Sequence, residues 1–262
     1  MSIVTRPGQL PQRLDRFVAP LAIVGAIVVW EIVGRVSGAL FFPPISEIAT
    51  AWIELAESGD LLEAAGASLH ALVIGFSVGL ILGLVVGALM GLHESFRYLL
   101  DVYVNVFMAA PLIALIPLIA IVLGLDVTAR AFFVFLFAFF PVVVNTEAGI
   151  RDVDPAIIEM AHSFGMGPIR RFMTVSLPNA LPAIMAGIRV SLVRSISGII
   201  TAEIFMALTG FGALVAFYGS QFRPPELFAV IMTVVVVAAG AGSGLSAVTG
   251  YVGRWQQGLR RD

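Results

Sequence analysis

Six long apolar stretches occupy most of this 262-residue chain. A helix needs about 20 mostly apolar residues to cross a hydrocarbon core of ~30 Å, and each stretch approaches or exceeds that length. The stretches cover residues 20–36, 68–92, 102–125, 129–145, 183–206 and 227–250. They carry no alternating pattern of about 10 residues, the pattern that is typical of strands in a membrane barrel. The sequence therefore predicts an all-α membrane protein with six transmembrane helices.

The composition excludes several other classes of protein. Hydrophobic residues make up 59% and charged residues 12% of the chain, whereas soluble domains contain about 45–50% and roughly 25%. A net charge of −2 gives no basic face for a nucleic-acid partner. The chain has no cysteine and three scattered histidines, so neither a disulfide framework nor a metal site is expected.

The distribution of arginines predicts the orientation of the chain. Loops on the cytoplasmic side of a membrane are enriched in Lys and Arg. Ten arginines fall in the termini and the loops after the second and fourth stretches, against three on the other side. We therefore predict a cytoplasmic N-terminal segment (1–19), a transmembrane domain (20–250) and a cytoplasmic tail (251–262).

The loop between the first two stretches is acidic and carries no basic residue, which places it on the outer side. Within it, residues 45–56 have apolar side chains close to helical spacing and end near Gly59. This pattern predicts a short amphipathic helix. The helix lies either along the outer membrane surface or on the helix bundle as an acidic solvated element, and the sequence alone leaves both open.

The second stretch contains a glycine at every fourth position. Small residues at this spacing form a groove along one helix face and let another helix approach closely. The pattern predicts tight packing and leaves open whether the partner lies in the same subunit. The glycines are Gly75, Gly79, Gly83, Gly87 and Gly91. Prolines at 111, 117 and 141 predict kinks in the third and fourth stretches.

The fifth stretch holds charges inside the predicted membrane. Arg194 falls about 16 Å from the start of this helix, near the midplane, and Ser191 and Ser195 lie within one turn of it. A charge at that depth faces protein or a water-filled path, because exposing it to lipid costs at least ~2.5 kcal/mol. Arg194 is thus either bonded to the helix-end carbonyls of a neighbour or part of a translocation path with the two serines. Glu203 is near the outer end and on the opposite face.

Residues 149–182 form the longest segment on the predicted cytoplasmic side. Asp154–Pro155 is typical of a helix start, and glycines at 165 and 167 end the helix. Pro168 then opens a second short helix, which we expect Leu177–Pro178 to terminate. Two short helices joined by a glycine elbow form a knob suited to docking into another protein.

The same loop carries a spaced motif. Glu159-Met160-Ala161 is followed by Gly165 and, after nine residues, by Val175-Ser176-Leu177-Pro178. This resembles the EAA motif of ATP-binding-cassette (ABC) importer permeases, which reads Glu-Ala-Ala, three residues, Gly, nine residues, Ile-x-Leu-Pro. The chain departs from the motif only at Met160 and Val175, both conservative apolar replacements.

Further matches resemble the permease subfamily that serves sulfonates, nitrate and taurine. They are Phe42-Pro43-Pro44-Ile45, Ser58-Gly59-Asp60-Leu61, Ser68-Leu69, and Glu203 followed by Gly210-Phe211-Gly212. The resemblance covers nearly the whole chain. It implies a type I, MetI-like permease fold and a small anionic solute, with Ser191, Arg194 and Ser195 as candidate path residues.

The resemblance also implies a division of labour between subunits. The chain contains no lysine and hence no Gly-x-x-x-x-Gly-Lys phosphate loop, so it is not expected to be an enzyme or to bind a cofactor, and ATP belongs to a separate ATPase. The implied partners are two ATPase copies, a periplasmic or lipid-anchored binding protein and a second permease copy forming a homodimer in the bacterial inner membrane. The residues implied to couple to the ATPase are Glu159, Met160, Ala161, Gly165, Val175, Leu177 and Pro178. An ion-coupled secondary transporter is the alternative, although the repeated interrupted helices typical of that class are missing.

Overall fold

The structure is a computed structural model that describes residues 12–37, 42–206 and 209–259. Every regular element in these ranges is helical, which confirms the predicted all-α class. Parts of the predicted terminal segments, residues 1–11 and 260–262, lie outside the described residues. The α-helices are α1 (Gln12–Ser37), α2 (Ile45–Glu57), α3 (Asp60–Leu92), α4 (Glu94–Ala109), α5 (Ile116–Leu123), α6 (Val127–Arg151), α7 (Pro155–Ser163), α8 (Pro168–Arg171), α9 (Leu177–Met206), α10 (Phe211–Ser220) and α11 (Pro224–Leu259).

Four described helical segments are long and apolar enough to cross a membrane, and a bent pair brings the number to five. The four are Asp60–Leu92, Val127–Arg151, Pro168–Met206 and Pro224–Gly244. Helix α1 occupies the position of the first predicted span. The fold is therefore consistent with six spans, and the count of six stays a prediction.

The third predicted span is broken rather than kinked. Helix α4 and the segment Leu112–Leu123 meet at an angle of 93°. Because Pro111 disfavours helical geometry in the residue before it, Ala110 is extended, with φ −67° and ψ 141°. Pro117 lies in the first turn of α5, where its missing N–H breaks no helical hydrogen bond. Pro111 was correctly identified as a point of distortion, but the size of the bend was not predicted. Helix α6 continues through Pro141, and the kink expected there stays a prediction.

Helices α3, α6 and α9 form the core of the bundle. The glycines of α3 face α6: a Cβ on Gly83 would lie 2.9 Å from the Cβ of Val142, and one on Gly87 would lie 2.7 Å from the Cβ of Thr146. The glycine groove therefore packs within the subunit, which answers the question left open by the sequence. On the other side of α6, a Cβ on Gly149 would lie 2.7 Å from the Cβ of Ala183 in α9.

Helix α2 packs on the end of the bundle that the arginine distribution assigns to the outer side. Its apolar side chains Ile48, Ala51 and Leu55 are buried in one cluster with residues of α10 and α11, including Tyr218 and Val230. The predicted amphipathic helix is confirmed, and it lies on protein. The turn into α3 is made at Gly59, whose φ of +86° favours glycine.

Candidate coupling loop and translocation path

The loop between α6 and α9 begins with the predicted helix α7. The carboxylate of Asp154 accepts a hydrogen bond of 2.8 Å from the N–H of Ala156, and Pro155 occupies the first turn. A carboxylate at this position accepts a hydrogen bond from a backbone N–H that has no partner within the helix. Its negative charge also interacts favourably with the positive end of the helix dipole. The Asp154–Pro155 start signal is confirmed.

Gly165 ends α7 in the way its position in the motif predicts. Its φ is +74°, the left-handed region that side chains disfavour. The N–H of Gly165 donates to the carbonyl of His162 at 2.9 Å, and that of Met166 donates to the carbonyl of Ala161 at 3.1 Å. These two bonds define a Schellman motif, which reverses the chain at the end of a helix.

The second half of the loop differs from the prediction. Leu177–Pro178 does not terminate the helix that starts at Pro168. The segment runs through a π-helical turn at Phe172–Ser176 directly into α9. In that turn the N–H of Leu177 donates to the carbonyl of Phe172, and the side-chain amide of Asn179 donates to the carbonyl of Val175 at 2.7 Å. The wider π-helical turn accommodates Pro178 within a continuous helical segment. The expectation that the helix ends at Leu177–Pro178 was therefore wrong.

The loop exposes a set of large apolar side chains. Such side chains on an aqueous surface mark protein–protein contacts. The exposed fractions are 55% for Met160, 77% for Phe164, 77% for Ile169 and 57% for Met173. Among the motif residues, Glu159 and Pro178 are also exposed, Val175 and Leu177 are half-buried, and Ala161 is buried.

The three candidate path residues are not brought to one surface. Ser191 and Ser195 are fully buried within the bundle, whereas Arg194 is exposed. One helical residue turns the chain by about 100°, so Arg194 and Ser195 point in different directions. Spacing alone could not show which side of α9 faces its neighbours.

Arg194 lines a cavity of about 180 Å³ beside the break between α4 and α5. The cavity walls include Met108, Pro111, Phe140 and Pro141. Within the described ranges Arg194 makes no hydrogen bond or ion pair, so the alternative in which neighbouring helix-end carbonyls bind its guanidinium is not observed.

A buried polar cluster near the predicted outer end was missed by the sequence reasoning. Glu203 is fully buried, and its Oε1 lies 3.4 Å from Nη1 of Arg130 in α6. Its Oε2 accepts hydrogen bonds from Ser68 Oγ at 2.8 Å and from the N–H of Gly212 at 3.1 Å. Arg130, one of the three arginines assigned to the outer side from the sequence, lies inside α6 and is only 8% exposed. The signal was available: a membrane carboxylate needs a partner, and Arg130 lies at the same end of the bundle.

Comparison with known proteins identifies the chain. The model of the family described as "Binding-protein-dependent transport system inner membrane component" matches residues 79–257, which include the whole loop and the buried cluster's Arg130 and Glu203. The chain belongs to this family. It is the inner-membrane permease subunit of an ABC importer and not an enzyme, and such permeases work with ATPase and substrate-binding partners.

Curated relatives of this permease cover most of both chains. The putative aliphatic sulfonates transport permease SsuC of Escherichia coli is 36% identical over 217 residues, 82% of this chain and 81% of its own. The taurine transport system permease TauC of E. coli is 26% identical and covers 94% and 91%. The bicarbonate transport system permease CmpB of Synechococcus elongatus is 30% identical and covers 96% and 94%.

A solved structure shares the fold of the permease. The MetNI methionine ABC transporter in an inward-facing conformation matches with a TM-score of 0.59 at 17% identity, covering 74% of this chain and 94% of that one. The predicted MetI-like fold and the predicted importer permease are both confirmed. The ion-coupled carrier is not the class to which the chain belongs.

Proposed function

We propose that this permease conducts a small anionic solute of the sulfonate, taurine or nitrate class from the periplasm to the cytoplasm. Relatives named for aliphatic sulfonates, taurine and bicarbonate support an anionic or zwitterionic solute. The exposed guanidinium of Arg194 beside the α4–α5 break supplies a positive charge, at the mid-membrane depth expected from its position in the fifth stretch. A binding protein, periplasmic or lipid-anchored, delivers the solute to the outer loops.

The translocation path runs along α4 and is completed by a second copy of the permease. Tyr98, Asp101 and Asn105 lie on one face of α4 at three- and four-residue spacing, and all three are exposed in the single chain. Polar side chains in a membrane helix face protein or water rather than lipid. A homodimer with the two α4 faces opposed places them, and Arg194, around a shared axis.

The permease couples to ATP hydrolysis through the loop between α6 and α9. Two ATPase subunits bind two copies of this loop, and ATP is bound by the ATPase because this chain has no phosphate loop. The observation that carries the proposal is the exposed knob formed by α7 and the Gly165 turn. Its apolar side chains Met160 and Phe164 fill a groove in the ATPase, and Glu159 meets a basic residue at the rim.

The test is co-purification of the ATPase with tagged permease, together with ATP-driven uptake in proteoliposomes. Glu159→Arg places a like charge against the ATPase and is expected to reduce the ATPase recovered more than the isosteric Glu159→Gln. Equal recovery with both variants would remove Glu159 from the interface. Uptake that proceeds without ATP or without the ATPase would overturn the proposal as a whole.

A further inference from the structure

Helices α6 and α9 are joined at both ends. At the inner end they carry the coupling loop, residues 152–176, between them. Near the outer end Glu203 of α9 forms its ion pair with Arg130 of α6, and both side chains are buried. Any displacement of the loop is therefore applied to two helices that are also tied together at the opposite end.

The same carboxylate ties in two more helices. Ser68 of α3 donates to Glu203 and accepts a hydrogen bond of 3.0 Å from the N–H of Phe211, the first residue of α10. The N–H of Gly212 donates to Glu203, so the buried carboxylate lies at the positive end of the α10 dipole. We call the side chains of Ser68, Arg130 and Glu203, with the N-terminal N–H groups of α10, the outer node.

Two glycines make this approach possible. Gly210 has a φ of +91°, and a Cβ on it would overlap the Glu203 carboxylate. A Cβ on Gly212 would lie 2.5 Å from the Cβ of Glu203. Gly210-Phe211-Gly212 therefore brings the start of α10 into direct contact with α9. This contact gives a physical reason why the sequence contains both Glu203 and this tripeptide.

Close packing connects the coupling loop to the outer node. Added Cβ atoms on Gly91 and Gly198 would lie 2.8 Å from Ile150 and 2.9 Å from Phe137, so α3, α6 and α9 touch along their length. Interfaces packed this closely move as units and do not deform continuously. Helix α10, with 10 residues, is about 15 Å long and too short to cross the membrane, and it lies beside Glu203 at the predicted outer end.

We infer that Glu203 is a positioning residue for transport: it makes α10 and the outer ends of α3 and α6 follow the coupling loop when the ATPase moves that loop. The inference rests on the proposed coupling function of the loop. A buried ion pair is weak evidence of stabilisation, because apolar replacements of such pairs are often as stable. Its geometry here fixes which four helices move together.

The experiment measures whether α10 responds to nucleotide. A cysteine replaces Ala216, a half-buried residue of α10, in a chain that has no native cysteine. Its labelling rate is measured in the permease–ATPase complex in proteoliposomes, without nucleotide and with ATP trapped by vanadate. The rate is expected to change severalfold on trapping, and this response is expected to be lost in Glu203→Gln. Uptake of radiolabelled taurine per ATP hydrolysed is expected to fall in parallel.

Glu31→Gln is the matched control. Glu31 also pairs with an arginine, Arg35, and with a serine, Ser46, but on α1 and outside the α3–α6–α9 core. This variant is expected to keep the nucleotide response. If Glu203→Gln does not accumulate in the membrane, Ser68→Ala decides instead, since it removes one hydroxyl and keeps the ion pair; a smaller but measurable loss of response is then expected.

The outcomes separate the two proposals. A wild-type nucleotide response in Glu203→Gln, or in Ser68→Ala where that variant is used, overturns the inference and leaves the coupling function intact. A wild-type complex that recovers no ATPase, or whose α10 ignores nucleotide, overturns the coupling function or its link to α10 before any variant is compared. Loss of response with full ATPase recovery supports the inference.

Discussion

The N–H of Met166 donates to the carbonyl of Ala161 at 3.1 Å, across the left-handed turn at Gly165. This bond closes the end of α7 and sets the direction in which the knob points. An added Cβ at Gly165 meets no atom within 4 Å, so the requirement for glycine is purely conformational. A β-branched residue in this geometry costs about 1–2 kcal/mol, which the turn cannot recover from packing.

Gly165→Val is therefore expected to abolish most ATPase recovery and ATP-driven uptake while the permease still inserts. Gly167→Val is the matched control, because Gly167 is extended, with φ −64° and ψ 160°, and also has open space around it. Recovery is measured by co-purification and insertion by the amount of tagged permease in the membrane. Normal uptake by Gly165→Val would show that this turn is not the coupling element.

Much of the coupling loop could be predicted because its signals are local. Asp154, Pro155 and Gly165 each impose a backbone geometry on their immediate neighbours, and the structure shows those geometries. The prediction that Pro178 ends a helix was wrong because the effect of this proline depends on the preceding π-helical turn, and no residue type in the sequence indicates such a turn. The outer node was missed for a different reason: Ser68, Arg130 and Glu203 are distant in sequence, and only the packing of three helices brings them together.

Replacing Gly83 tests the glycine groove between α3 and α6. In Gly83→Ala the new Cβ would lie 2.9 Å from the Cβ of Val142 and 3.1 Å from the carbonyl of Phe139, so the helices must separate. Overpacking of this kind costs about 1–3 kcal/mol. We expect Gly83→Ala to unfold at a lower temperature than the wild type in detergent, with unfolding measured by tryptophan fluorescence. Gly66→Ala in the same helix, where the Cβ meets nothing within 4 Å, is expected to be neutral or stabilising.

Cysteine labelling tests the orientation. Asp60 and Gly167 are both exposed and lie at opposite ends of the bundle in the predicted topology. In intact cells an impermeant maleimide is expected to label Asp60→Cys, and to label Gly167→Cys only after the membrane is opened. The chain has no native cysteine, so the parent gives no background. The reverse pattern would show that the termini are periplasmic.

Arg194 is tested by pairing Arg194→Lys with Arg194→Gln. The guanidinium is exposed beside the broken α4–α5 segment and makes no ion pair in the part of the chain that the structure describes, so its charge is available to a solute. A positive charge on the path attracts an anion at a distance, and lysine supplies that charge as arginine does. Only the bidentate hydrogen bonding of a guanidinium would be lost in Arg194→Lys, and attraction at a distance does not need it. At equal complex yield, Lys is therefore expected to retain severalfold more taurine uptake than Gln.

The same variants are compared at low and high salt. Raising the salt concentration is expected to weaken uptake less in Arg194→Gln than in the wild type, because salt screens the attraction between Arg194 and the anion and the Gln variant has no such attraction to lose. A collapse of complex yield in both variants would instead make Arg194 a structural residue, and undiminished uptake in both would exclude it from the path.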